Sequence, residues 1–211
     1  MDNNCVLCKI ANSERNMLRE YDQPIVETKN FYVVTALGQF VEGYVLICTK
    51  NHYLNMGALD NNMANELHIL KEKVTKMFQE IYNKKAIFFE HGAASRKNSE
   101  GTCVDHAHLH AIPLEKYDLG VFSSEYLIKN NKLQSLKDYS KTGNPYFYIE
   151  GANGKSELFD AILMPCQYGR RVIARLVNKK NYWDWRKYKF IANMIKTTRQ
   201  IKTWNGWKNG I

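Results

Sequence analysis

Residues 105–114 read Asp-His-Ala-His-Leu-His-Ala-Ile-Pro-Leu, and no other stretch restricts the fold as much. His106, His108 and His110 are three of only six histidines in 211 residues, and they alternate strictly with Ala107, Leu109 and Ala111. Period two belongs to a β-strand, so the imidazoles share one face while the apolar residues face a core. Histidines two apart sit about 6.6–7 Å from each other along a strand. Two rings can lean together on one metal, but three in a row converge less easily, so the alternation suits a division of labour. An edge strand with exposed imidazoles is the plainer alternative. Side chains that titrate near neutrality, concentrated in this way, point instead to chemistry.

The flanking sequence supplies partners for such a strand. Phe31–Ala36 and Gly43–Cys48 are β-branched and aromatic runs separated by glycines, as in an antiparallel pair. Asp60 is placed to cap a helix in which Met63, Leu67, Leu70, Val74, Met77, Phe78 and Ile81 recur at spacings of three and four. His68 falls at the edge of that apolar face. Ala86–Glu90 reads as a strand, and residues 94–102 as a polar, Gly-containing loop. After residue 115 the pattern predicts a helix near 124–139, strands around 146–150 and 158–163, and helices near 171–177 and 187–202. The expected fold class is α+β, a largely antiparallel sheet with a packed amphipathic helix. The expected domains are a catalytic unit over 1–115 and a basic α/β extension over 116–211 packed on it.

Charge and cysteine usage narrow the function. Thirty Lys+Arg against 21 Asp+Glu give a net charge of +9. The segment from Gln167 to Ile211 holds 12 of the cations and a single acid, Asp184, together with all four tryptophans. Such a tail faces an anion or is simply a solvated basic surface. No apolar run approaches the roughly 18 residues that cross a bilayer, so no membrane partner is expected. The first residues lack the basic start and apolar stretch of a signal peptide, and a cytoplasmic location follows as the expectation. Five cysteines without an export signal argue against a disulfide framework. Cys5 and Cys8 form a C-x-x-C, half of a metal site or a redox pair. Cys48 reads as a buried filler, and Cys103 and Cys166 are open to the same reading.

With these residues in hand, the chain resembles the histidine-triad (HIT) family of nucleotide hydrolases and transferases, as a zinc-bearing, bacterial-type member with a C-terminal extension. His-x-His-x-His with apolar intervening residues carries the resemblance. Cys5-Val-Leu-Cys8 is similar to the N-terminal pair of zinc-containing members. Gly43-Tyr-Val-Leu-Ile-Cys-Thr-Lys-Asn-His52 is similar to the family's Gly-His-strand-Pro-Lys-x-His stretch, and Gly101-Thr-Cys-Val104 to its Gly-Gln-x-Val. Phe89-Glu-His-Gly92, Gln167–Ala174 and Trp183–Arg186 match a bacterial subgroup. Departures from the family include Thr35 where a ribose-holding acid is usual, Glu90 in place of Asn, and Thr102 in place of Gln or Ser.

The resemblance implies roles. His108 is the nucleophile, which would carry a nucleotidyl-histidine intermediate, and His110 donates to a phosphate oxygen or the leaving group. Backbone amides around Gly101, Thr102 and Cys103 would receive developing negative charge. Cys5, Cys8, His52 and His106 make a Cys₂His₂ set for a structural zinc. Glu90 and His91 are candidate substrate contacts, and Arg170 and Arg171 a candidate fork for a polyphosphate. The implied activity is hydrolysis of a phosphoanhydride or phosphoramidate bond in a nucleotide or dinucleotide, such as a dinucleoside polyphosphate. Transfer of the nucleotide to a phosphorylated acceptor is the alternative. A non-enzymatic nucleotide or nucleic-acid binder using the Trp-rich tail ranks last. Many relatives are homodimers, although this extension could cover the surface concerned.

Overall fold

The computed structural model describes residues 5–93, 104–116, 118–122, 128–129 and 135–208. Its centre is one eight-stranded sheet in the order β1-β2-β3-β5-β4-β7-β8-β6, with every neighbouring pair antiparallel. The strands are β1 (Val26–Glu27), β2 (Phe31–Thr35), β3 (Val45–Thr49), β4 (Lys85–Gly92), β5 (His108–Leu114), β6 (Ile128–Lys129), β7 (Tyr146–Gly151) and β8 (Ser156–Asp160). Among the described residues five α-helices accompany them: α1 (Val6–Asn12), α2 (Asn61–Tyr82), α3 (Leu136–Ser140), α4 (Tyr168–Leu176) and α5 (Ile191–Lys202).

The two faces of the sheet bury different layers. On one, α2 presents Met63, Leu70, Val74, Met77 and Phe78 to Val33, Ile47, Phe88, Leu109 and Ala111. Each such side chain contributes roughly 1.5–3 kcal/mol when fully buried. The Asp60 carboxylate accepts from the Met63 amide at 2.8 Å, and Asn83 ends the helix in the left-handed region at φ 51°. On the other face, α4 packs Tyr168, Val172 and Ile173 over Phe89, Phe147 and Phe159, while α1 sets Leu7 and Ile10 against Tyr32 and Val34. The period-two reading of the histidine segment follows from this. Leu109 and Ala111 point to the α2 core, and His108 and His110 to the α1/α4 face.

The chain after residue 115 continues the same sheet, because β7 pairs with β4 from Ile87↔Gly151 to Gly92↔Tyr146. Here several expectations are corrected. Ile128–Lys129 is a strand, and the helix expected near 124–139 is confined among the described residues to Leu136–Ser140. The last helix begins at Ile191, since Phe190 adopts φ 53° and breaks the helical path before it. His68 is exposed and faces Glu72 rather than bordering the apolar stripe. Cys48 is the fully buried filler expected, whereas Cys166 is disulfide-bonded. No helix among the described residues is long and apolar enough to cross a membrane.

Candidate active site

The strand ladder fixes the site. Cys48 pairs with His108 and Leu46 with His110, while Phe89 of β4 lies opposite His110 on the other side. Regular pairing begins at His108. Just before it, the Ala107 amide turns aside to donate to the Tyr53 carbonyl at 2.7 Å. His106 therefore stands off the end of β5, and that one-residue departure separates two centres.

The first centre lies around His106. The ligand atoms of Cys5, Cys8, His52 and His106 all fall within 4.8 Å of one another. His106 Nδ1 is 3.3 Å from Cys5 Sγ and 3.4 Å from Cys8 Sγ, and His52 Nδ1 is 3.3 Å from Cys8 Sγ. Tetrahedral coordination with Zn–S near 2.3 Å and Zn–N near 2.0–2.1 Å needs edges of roughly 3.5 Å, so the spacing fits a small four-coordinate ion. His106 Nε2 donates to the Thr49 carbonyl at 2.8 Å. A neutral ring with that proton placed has its Nδ1 lone pair aimed at the thiols. Burial pushes the His106 pKa down to about 4, the Thr49 carbonyl opposing, so the ring stays neutral. The four residues gathered by resemblance are thus brought together in space.

The second centre is a cavity of about 310 Å³ on the α1/α4 face. Leu7 and Ile10 form one wall, and Thr35 and Leu46 another. Gln167–Arg170 of the α4 start and Trp185 form a third, with His91, His108 and His110 on the floor. His108 Nδ1 donates to the His106 carbonyl at 2.6 Å, which leaves Nε2 as the lone-pair nitrogen of the neutral ring. Burial lowers the His108 pKa, that carbonyl contact opposing it. His110 stacks on Phe89 with ring centroids 4.3 Å apart and 13° between planes, and its Nδ1 lies 2.5 Å from Tyr44 Oη. Burial holds His110 well below its ordinary pKa, with the neighbouring His108, Arg170 and His91 acting the same way. His91, desolvated and beside His108, is pushed down to about 4. The floor is therefore three uncharged imidazoles at neutral pH.

Neighbours in sequence part company here. Strand parity sends Phe89 and His91 to the cavity and Glu90 to the opposite face, where it is 1% exposed. There its carboxyl accepts from the Met56 amide at 2.9 Å and from the Tyr146 hydroxyl. Glu90 is a buried tie between β4 and the 56–58 turn, away from any cavity ligand. Likewise Arg170 lines the cavity and is 3% exposed, whereas Arg171 stacks on Trp183, 3.9 Å from the ring centroid. Two of Arg170's nitrogens are engaged by the Gly38 carbonyl at 2.6 Å and the Trp183 carbonyl at 2.8 Å. Gly101, Thr102 and Cys103 lie outside the described residues. Tyr44, Phe89 and Trp185 join the site without having been expected there. Only the register against His110 and the packing of Trp185 over Gly38 reveal them; a Cβ on Gly38 would come within 2.6 Å of Trp185 Cα.

An antiparallel sheet carrying this alternating-histidine strand is the histidine-triad arrangement, and the chain belongs to that family. The family model that matches it, over residues 2–126, is described as "Protein similar to CwfJ C-terminal". Among curated proteins, the bis(5'-adenosyl)-triphosphatase of Dictyostelium discoideum is 24% identical over 131 residues, 62% of this chain and 79% of that protein. The adenosine 5'-monophosphoramidase hnt1 of Schizosaccharomyces pombe is 27% identical over 135 residues, 63% and 92% respectively. A solved hypothetical histidine triad nucleotide-binding protein from Sulfolobus tokodaii strain 7 superposes with a TM-score of 0.43 at 24% identity, covering 66% of this chain and 86% of its own.

Proposed function

We propose that the protein is a nucleotide hydrolase that cleaves a phosphoanhydride or phosphoramidate bond through a nucleotidyl group carried on His108. The observation that supports this most is the His108 ring itself. Its Nδ1–H is bound to the His106 carbonyl, so its Nε2 lone pair opens on a cavity the size of a small ligand pocket. The substrates named in the two curated relatives, a bis(5'-adenosyl) triphosphate and an adenosine 5'-monophosphoramidate, each carry a displaceable group on the phosphorus that bears the nucleoside, through oxygen in one and nitrogen in the other.

The chemistry runs in two displacements. The Nε2 lone pair attacks the phosphorus bearing the nucleoside, an N–P bond forms, and the P–O or P–N bond to the leaving group breaks with its electron pair. His110 donates a hydrogen bond from Nε2–H to the leaving atom as charge gathers on it; a leaving phosphate departs as its anion, and a leaving nitrogen takes its proton from solvent water. Water then attacks the same phosphorus and gives its proton to solvent, the N–P bond breaks with its electron pair returning to His108 Nε2, and the nucleoside monophosphate is released. Neutral rings suit both steps, because a protonated His108 has no lone pair to offer. Asp22, the one carboxylate among the described lining residues, holds Arg19 with Oδ2 and leaves Oδ1 to accept from ribose hydroxyls, while the Thr35 hydroxyl is bound to the Tyr21 carbonyl at 2.7 Å. Cys5, Cys8, His52 and His106 would hold zinc in a closed shell. Bound there, the ion supplies structural cross-linking between α1 and the start of β5, and takes no part in the displacements.

The test is incubation with α-³²P-labelled diadenosine triphosphate and adenosine phosphoramidate, trapping an acid-labile, base-stable protein adduct. Release of labelled monophosphate into water is expected, with the adduct lost in His108→Asn. Turnover that requires an added phosphorylated acceptor would make the protein a transferase, and absence of any adduct would refute the covalent reading.

A further inference from the structure

His108 and His110 stand on one strand with their rings 4.9 Å apart, yet the proposed cycle needs the cavity-side Nε2 bare on the first and protonated on the second. His108 owes its form to a backbone carbonyl. His110 has no such carbonyl; its Nδ1 meets a hydroxyl, that of Tyr44, at 2.5 Å. A hydroxyl donates or accepts, so this contact alone leaves the His110 tautomer undetermined.

The C-terminal segment removes that freedom. Arg170, at the start of α4, places its guanidinium carbon 5.3 Å from the Tyr44 ring centroid and 5.0 Å from that of Phe40. An arginine only donates. A hydroxyl beside that fixed positive charge turns its oxygen toward it and its single proton toward the remaining neighbour, His110 Nδ1. The guanidinium is itself fixed, by the Gly38 and Trp183 carbonyls, and Gly169 before it packs so tightly on Phe89 that a Cβ there would meet the ring at 2.5 Å. Phe89 in turn stacks on His110. Two independent contacts thus run from the α4 start to the same imidazole, one setting its proton and one its plane.

We infer that Arg170 is a positioning residue for His110, acting through Tyr44, so that His110 presents Nε2–H to the cavity and the C-terminal segment is part of the reactive apparatus. The fork that the sequence offers to a polyphosphate is instead largely occupied within the protein. Tyr44 stays protonated in this role, its pKa pushed up to about 12 by burial against the opposing pull of Arg170. The kinetic consequence rests on the hydrolase reading above; the tautomer does not.

The experiment is long-range ¹H–¹⁵N correlation of the imidazole rings in the metal-loaded, full-length protein, alongside steady-state kinetics. Wild type should show His110 with its proton on Nε2. Tyr44→Phe, which keeps the ring and its packing, should give a mixture or the Nδ1–H form, and Arg170→Gln should move the same signals. Each should lower kcat by roughly 10–10²-fold with KM changed less than about threefold, and the double variant should be no worse than the poorer single one. Tyr44→His, which restores a donor, should recover the Nε2–H form and part of the rate. A His110 tautomer unchanged in both single variants would overturn the inference, even in a protein that hydrolyses no nucleotide. A loss confined to KM in Arg170→Gln would make Arg170 a substrate contact and overturn it too.

Discussion

His106 and His108 are two residues apart and use opposite nitrogens. His106 gives its Nε2–H to the Thr49 carbonyl and turns Nδ1 to two thiols; His108 gives its Nδ1–H to the His106 carbonyl and turns Nε2 to the cavity. The residue type is the same, and the difference lies in which backbone carbonyl each ring meets. That in turn follows from where β5 begins. His106 lies beyond the last rung, within reach of the α1 cysteines, while His108 is held in register against Cys48. One imidazole turns to the thiols and the other to the cavity because the strand starts between them.

The comparison breaks first at His108. His108→Asn should lower turnover at least ~10³-fold while the melting temperature moves by no more than a few degrees, as checked by initial rates and thermal unfolding. A variant that keeps a tenth of the activity, or that melts far earlier, would erase the distinction between the two rings. The complementary change at the other centre should act on folding. Chelation, or Cys8→Ser, should lower the melting temperature by about 10 °C, because a closed shell contributes folding free energy. Metal-free protein that melts as the loaded form does would remove the fastener from the account.

Two further pairs of sequence neighbours sharpen it. Glu90 sits beside His91 but faces the core, and burial pushes its carboxyl up to about 8 against the opposing bonds from Tyr146 and the Met56 amide. The unfolded chain loses that proton near 4.5, so the folded state binds more protons in between. Stability should fall as pH rises from about 5 to about 8 and level off above. Glu90→Gln should flatten that slope, a difference of about 5 °C in melting temperature across the window, with turnover little altered. A slope that survives the substitution would mean other groups set it. The smallest effect is expected at Arg171, which stacks on Trp183 rather than lining the cavity. Arg171→Gln should change kcat/KM by less than about threefold, and a larger loss would return it to the substrate.

The readable parts of this chain were those in which one residue's pattern decides its own neighbours. Period two placed His108 and His110 on one face, and three–four spacing with Asp60 produced α2. Glu90 and His91, grouped by the resemblance as substrate contacts, are divided by the parity of β4. The metal cluster needed the resemblance, since nothing in the spacing of Cys8, His52 and His106 brings them together without the β3–β5 pairing. Arg170 and Arg171 look alike in sequence; about 100° of helical rotation sends one to the cavity and the other to Trp183. Tyr44 carried no signal at all, because a tyrosine after a glycine at a strand start is ordinary core until Arg170 arrives from 126 residues away.

The central claim, that two histidines two residues apart work through opposite nitrogens, is open to direct measurement. Protein reconstituted with ¹¹³Cd and labelled with ¹⁵N in its histidines should show cadmium coupling at Nδ1 of His52 and His106 and none at His108. The His108 ring should carry its proton on Nδ1 and leave Nε2 bare. Cadmium coupled to either nitrogen of His108, or a His108 proton on Nε2, would contradict the account.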